Sequence, residues 1–93
     1  MHPTIAKLIS TRPVITDGAW GTQLQLRGMP VGSIPDALNL INPQAVEEVG
    51  IAYIEAGSQV ILTNTLLANR FILGRHGLAD KVADINRIGV EIS

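Results

Sequence analysis

Apolar positions along the chain change between helical spacing and short unbroken runs. Pro3 suits a first helical position, and Ile5, Leu8 and Ile9 follow at helical spacing, which predicts a helix over 3–11. Arg12 and Pro13 end it, because the residue before proline avoids the helical region. Val14, Ile15 and Thr16 are β-branched and predict a strand, punctuated by Asp17 and Gly18. Residues 19–27 predict a short helix stopped at Gly28, and 28–35 a loop carrying Gly28, Pro30, Gly32 and Pro35. Asp36 to Ile41 fits one helical turn. Asn42 then Pro43 is an N-cap followed by proline at the first position. Val46, Val49, Tyr53 and Ala56 mark the buried face of that helix, Glu47, Glu48 and Glu55 lie away from it, and Gly57 closes it. Gln59 to Asn64 predicts a second strand. Its run Val60, Ile61, Leu62 does not alternate, as in parallel strands covered on both faces. A short helix over Asn69 to Arg75 ends near Gly77. Leu78, Val82, Ile85, Ile88 and Ile92 form the stripe of a longer one.

This order predicts an α/β fold: βαβ units with a parallel sheet and a crossover that is right-handed in roughly 98% of cases. Two strands cannot form such a sheet with both faces covered. The pattern therefore implies more strands than the sequence contains.

Composition narrows the function classes. The 93 residues are 46% hydrophobic and 16% charged, which excludes a disordered polymer and fits one small domain. Seven basic and eight acidic residues leave a charge of −1, with no basic stripe for a phosphate backbone. One Trp, one Tyr and one Phe are too few for base-stacking platforms. No apolar run approaches the roughly 20 residues of a membrane span, and the start of the chain lacks the pattern of a secretory signal. A cytoplasmic location is the expectation. Cysteine is absent, so neither a disulfide scaffold nor a cysteine-ligated zinc site lies within this sequence.

In α/β folds ligands bind at the C-terminal ends of parallel strands. Two polar clusters fall there: Asp17 to Thr22, and Thr63, Asn64 and Thr65. Neighbouring strands would bring Asp17 and Asn64 together. Each cluster also has a plain reading. Asp17 before Gly18 fits a turn or an N-cap, and Asn64 with Thr65 fits a cap for the following helix. Gly18 and Gly21 form neither a dinucleotide fingerprint nor a P-loop. Trp20 reads as packing or as a pocket wall. His2 and His76 have no second metal ligand at suitable spacing, and Asn69 with Arg70 reads as an anion contact or an exposed helix start.

The segment Asp17-Gly18-Ala19-Trp20-Gly21-Thr22-Gln23-Leu24-Gln25 resembles the opening signature of the homocysteine S-methyltransferase family, which includes the homocysteine-binding module of cobalamin-dependent methionine synthase. The resemblance continues through Leu38 to Pro43, Ala52 to Gly57, Thr63 to Thr65, Ala68 to Arg70, and Gly77 to Arg87. It implies a (β/α)8 TIM barrel of roughly 250 residues. Residues 1–93 would be a partial homocysteine-binding domain: the first two βα units of the barrel, with residues 1–13 as a preceding helix.

The implied activity is methyl transfer to the homocysteine thiolate, forming methionine. Zinc, held in the family by three late cysteines, favours that thiolate, and no residue here can be assigned to it. The implied donor is methyltetrahydrofolate by way of cobalamin, S-methylmethionine or betaine. Residue by residue, the resemblance assigns Asp17 to the homocysteine ammonium, the Gly18 and Ala19 N–H groups to its carboxylate, and Asn64 and Thr65 to the mouth of the site. Trp20 stands where methionine or other apolar residues are frequent, and Leu66 where phenylalanine is usual. Three expectations follow: the N-terminal portion of a methyltransferase, inactive alone; a non-catalytic amino-acid-binding module; or an inactive piece that associates with a missing C-terminal part or with itself.

Overall fold

A computed structural model describes residues 1–10 and 13–93 of the chain. Among the described residues six α-helices follow one another: α1 Pro3–Ser10, α2 Gly21–Leu26, α3 Leu38–Ile41, α4 Pro43–Glu55, α5 Arg70–Arg75 and α6 Val82–Ile92. Two 3₁₀ turns, Pro35–Ala37 and Ala79–Lys81, lead into α3 and α6. The expected helix stop at Arg12, together with Thr11, lies outside the described residues.

The helices start and stop where local chemistry directs. Asn42 caps α4, its Oδ1 accepting from the Ala45 N–H at 3.3 Å with Pro43 next in line. Past α4 the chain turns at Gly57, whose φ of +112° a side chain would oppose. Asn69, not Asn64 or Thr65, caps α5, its Oδ1 accepting from Phe71 and Ile72. Val46 and Val49 are fully buried on α4, while Glu47, Glu48 and Glu55 face water. On α6 the stripe holds, with Ile85 at its buried centre.

The expected sheet does not form. Among the described residues the two extended segments share one isolated parallel bridge, Thr16 with Val60. The expectation of an α/β fold made of the first two βα units of a TIM barrel is therefore overturned: the structure is helical, with no sheet among the described residues. Hydrogen bonds around the bridge explain this. Ile15 donates its N–H to the Gln59 side chain at 3.1 Å, and Leu62 donates its N–H to the Asp17 carboxylate at 2.8 Å. Side chains thus take the groups that a longer ladder would have used. Parallel strands are stable when both faces are covered. Here Ile15 and Leu62 remain 53% and 64% exposed.

The apolar interior consists of two clusters. Leu24, Met29, Leu38, Val46 and Val49 form one, with Trp20, Tyr53 and Ile92 against it. Ile34, Ala37, Leu73 and Ile85 form the other, with Leu67, Leu78 and Val82 against it. Asn39 on α3, 1% exposed, bonds the Asn64 carbonyl at 2.9 Å and the Ile85 carbonyl at 3.0 Å. Gly89 lets α6 come this close: a Cβ there would lie 2.7 Å from both Asn39 Nδ2 and Thr65 Cγ2. No helix among the described residues is long and apolar enough to cross a membrane.

Candidate functional site

The bridge between Thr16 and Val60 sets the turn after one extended segment against the loop after the other. Asp17 Oδ2 takes two donors, the Trp20 indole N–H at 2.7 Å and the Leu62 N–H at 2.8 Å. Hydrogen bonds to a carboxylate are charge-assisted and stronger than neutral ones. They fasten the Asp17–Thr22 turn to the start of the Leu62–Leu67 loop. Tyr53 on α4 holds the same turn from behind, its hydroxyl donating to the Ala19 carbonyl at 2.6 Å. The approach at Gly18 is close: a Cβ there would sit 3.2 Å from the Tyr53 hydroxyl oxygen and press on that bond. The Trp20 and Tyr53 rings pack at a tilt, with centroids 6.4 Å apart.

The far end of the loop is fastened in the same manner. Asp36, in the Pro35–Ala37 turn, accepts the Leu67 N–H at 2.8 Å through Oδ2. Between the two carboxylates, Asn64 donates both amide protons, to the Pro35 carbonyl at 2.8 Å and to Asn39 Oδ1 at 3.0 Å. The Thr63 and Thr65 hydroxyls bond each other at 2.6 Å. No buried side-chain nitrogen or oxygen among the described residues lacks a partner.

Turn, loop and 3₁₀ segment together enclose a cavity of about 280 Å³. Of the residues expected from sequence, Gly18, Asn64 and Thr65 line it, and Trp20 both lines it and packs against the first cluster. Asp17 and Ala19 lie beside the cavity, bonded to Trp20 and Leu62 and to Tyr53 respectively. Asn64 is 6% exposed, and its amide protons point into the protein framework.

Asp36 was not anticipated. It is 2% exposed and carries the one ionisable side chain among the described residues that line the cavity. Burial pushes its carboxyl above the ordinary carboxylate range, against the pull of the N–H groups of Leu67 and of Asp36 itself. The signal in the sequence was an aspartate after proline at a helix start, which also fits a plain capping role.

Zinc, which the resemblance implies, needs three or four ligands. Among the described residues no group of three His, Cys, Asp or Glu side chains could hold a metal ion, and the sequence has no cysteine. The residues present do not fit a zinc site, so no chemical step is assigned to zinc in this chain.

Comparison with known proteins gives the same direction as the motifs. Methionine synthase of Mycobacterium tuberculosis is 32% identical over 92 residues, which is 92% of this chain. Methionine synthase of Mycobacterium leprae is 32% identical over 97 aligned positions, 96% of this chain. The chain spans about 8% of the length of either protein. The sequence pattern of the homocysteine S-methyltransferase family matches residues 14–93, and the chain belongs to that family.

Proposed function

We propose that this chain supplies the amino-acid-binding part of a homocysteine methyltransferase site. The observation that carries the reading is the joining of the Asp17–Thr22 turn to the Leu62–Leu67 loop, by the bond from Leu62 to Asp17, around one cavity. Homocysteine, the methyl acceptor of this reading, presents an ammonium, a carboxylate and a thiol. Asp17 is partly exposed and both its protein donors sit on Oδ2, so Oδ1 is the oxygen offered to the ammonium. The Gly18 and Ala19 N–H groups, in an exposed turn held by Tyr53, are the donors for the ligand carboxylate. Thr65, with Asn64 beneath it, borders the mouth.

The chain's own chemistry favours binding over turnover. Its residues offer no thiolate and no three-ligand metal set among those described. A binding role without turnover by these residues alone is therefore the second reading.

Titration calorimetry of the chain with L-homocysteine tests both. The expected result is stoichiometric binding that Asp17→Asn weakens roughly 10- to 100-fold, the range for a hydrogen bond to a charged group. Absence of heat with the wild-type chain, or equal affinity in Asp17→Asn, would overturn the assignment. Methyl transfer by the chain alone, measured as methionine formed, separates turnover from binding; none is expected.

A further inference from the structure

The cavity wall holds a carboxylate that the proposed reading does not use. Asp36 is 2% exposed, and one of its oxygens, Oδ2, is bonded by the Leu67 N–H at 2.8 Å. Among the described residues no lysine, arginine or histidine forms an ion pair with it. Main-chain N–H groups offset part of the desolvation cost of this carboxylate, and no cation among the described residues offsets the rest. Groups perturbed by burial cluster at functional sites, where a ligand's charge can supply the missing partner. Asp36 lines the cavity of about 280 Å³, whose other lining residues among those described are apolar or neutral.

We infer that Asp36 is a ligand-binding carboxylate that faces the ammonium end of the amino acid in this cavity, opposite the turn that carries Asp17. The inference rests on the reading of the cavity as an amino-acid site and adds a second anionic contact to it. Asp17 then meets the ligand at the rim, and Asp36 meets it within the wall. Two carboxylates on opposite ends of one short loop would discriminate a primary ammonium from a neutral group at the same position. The three N–H bonds of an ammonium diverge, so acceptors on two sides meet more of them than a single carboxylate does.

The test pairs two ligands with two proteins. L-homocysteine and 4-sulfanylbutanoate differ by the amino group alone. Calorimetry on the wild-type chain is expected to favour homocysteine by 10-fold or more, roughly the worth of a charged hydrogen bond. In Asp36→Asn that preference is expected to shrink by roughly 10-fold or more, with affinity for 4-sulfanylbutanoate little changed. Urea unfolding of the same variant supplies the readout that a supporting role would move. Asn keeps an oxygen for the Leu67 N–H and removes the charge, so the midpoint is expected to stay or rise.

An unaltered ligand preference in Asp36→Asn overturns the inference and leaves the amino-acid site standing. A lowered midpoint, or a variant that fails to fold, also overturns it, because the carboxylate is then a support for the loop. Wild-type protein that binds neither ligand overturns the amino-acid site and this inference together. Asp17→Asn run alongside separates the two carboxylates: loss there with an unaltered Asp36→Asn assigns the ammonium to Asp17 alone.

Discussion

Asn39 donates to main-chain carbonyls that are far apart in sequence, those of Asn64 and Ile85, and accepts from the Asn64 amide. Its removal deletes three hydrogen bonds of buried groups and leaves the Asn64 amide with its bond to the Pro35 carbonyl alone. Each such bond contributes about 0.5–1.5 kcal/mol, so Asn39→Ala is expected to lower unfolding free energy by about 2 kcal/mol or more, read from urea denaturation. Gly89→Ala tests the same spot from the helix side. Its methyl would meet Asn39 and Thr65 at 2.7 Å, and overpacking of this kind costs about 1–3 kcal/mol. Asp36 acts in the opposite direction, with a definite sign in pH. Its carboxyl holds a proton more tightly when folded than the ordinary value of 3.8 allows. Between that value and the raised one the folded state binds more protons, so this group's contribution to stability falls as pH rises through the window. Asp36→Asn should remove that falling component. The stability of the variant relative to wild type is expected to increase from pH 4 to pH 7 in unfolding curves collected across the range.

At the level of elements, the helices and the extended segments behave differently. α4 carries its own start and stop signals, and Asn42→Ala is expected to cost about 1 kcal/mol through loss of the cap. The extended segments are joined by two main-chain bonds to the Ile15 carbonyl and, beyond these, through side chains. The Leu62 amide is protected by the Asp17 carboxylate, so Asp17→Ala should speed its hydrogen exchange selectively, leaving the amides of α4 unchanged. Helices were legible in the sequence because capping residues and stripe spacing act within a few positions. Val14 to Thr16 and Val60 to Leu62 look like buried strands by residue type, yet a sheet needs partners for every edge, and local pattern cannot supply them. The Ile15 and Leu62 N–H groups went to the side chains of Gln59 and Asp17, while the Val60 N–H reached the Ile15 carbonyl. The turn at Asp17 and the loop at Asn64 were legible as neighbours. Asp36 and Asn39 were not, because a single polar residue in a helical turn reads the same whether it faces water or a cavity.

As a whole the molecule is flat, 44 × 29 × 17 Å, with a radius of gyration of 14.5 Å against roughly 12 Å for a compact chain of this length. Two small apolar clusters, with polar bonds from α3 between them, replace a single deep core. Whether they melt together depends on those bonds. With Asn39 intact, helix loss by circular dichroism and loss of the first cluster should coincide, as a cooperative unit requires. With Asn39→Ala the two transitions are expected to separate. Trp20 makes that comparison direct. It is the sole tryptophan, it packs against the first cluster, and its indole N–H rests on the carboxylate proposed to meet the ligand. The protein thus carries a native fluorophore at the junction of folding and binding. Its emission is expected to respond to L-homocysteine at millimolar or lower concentration without added dye, and to report in the same spectrum whether the cluster around it has opened.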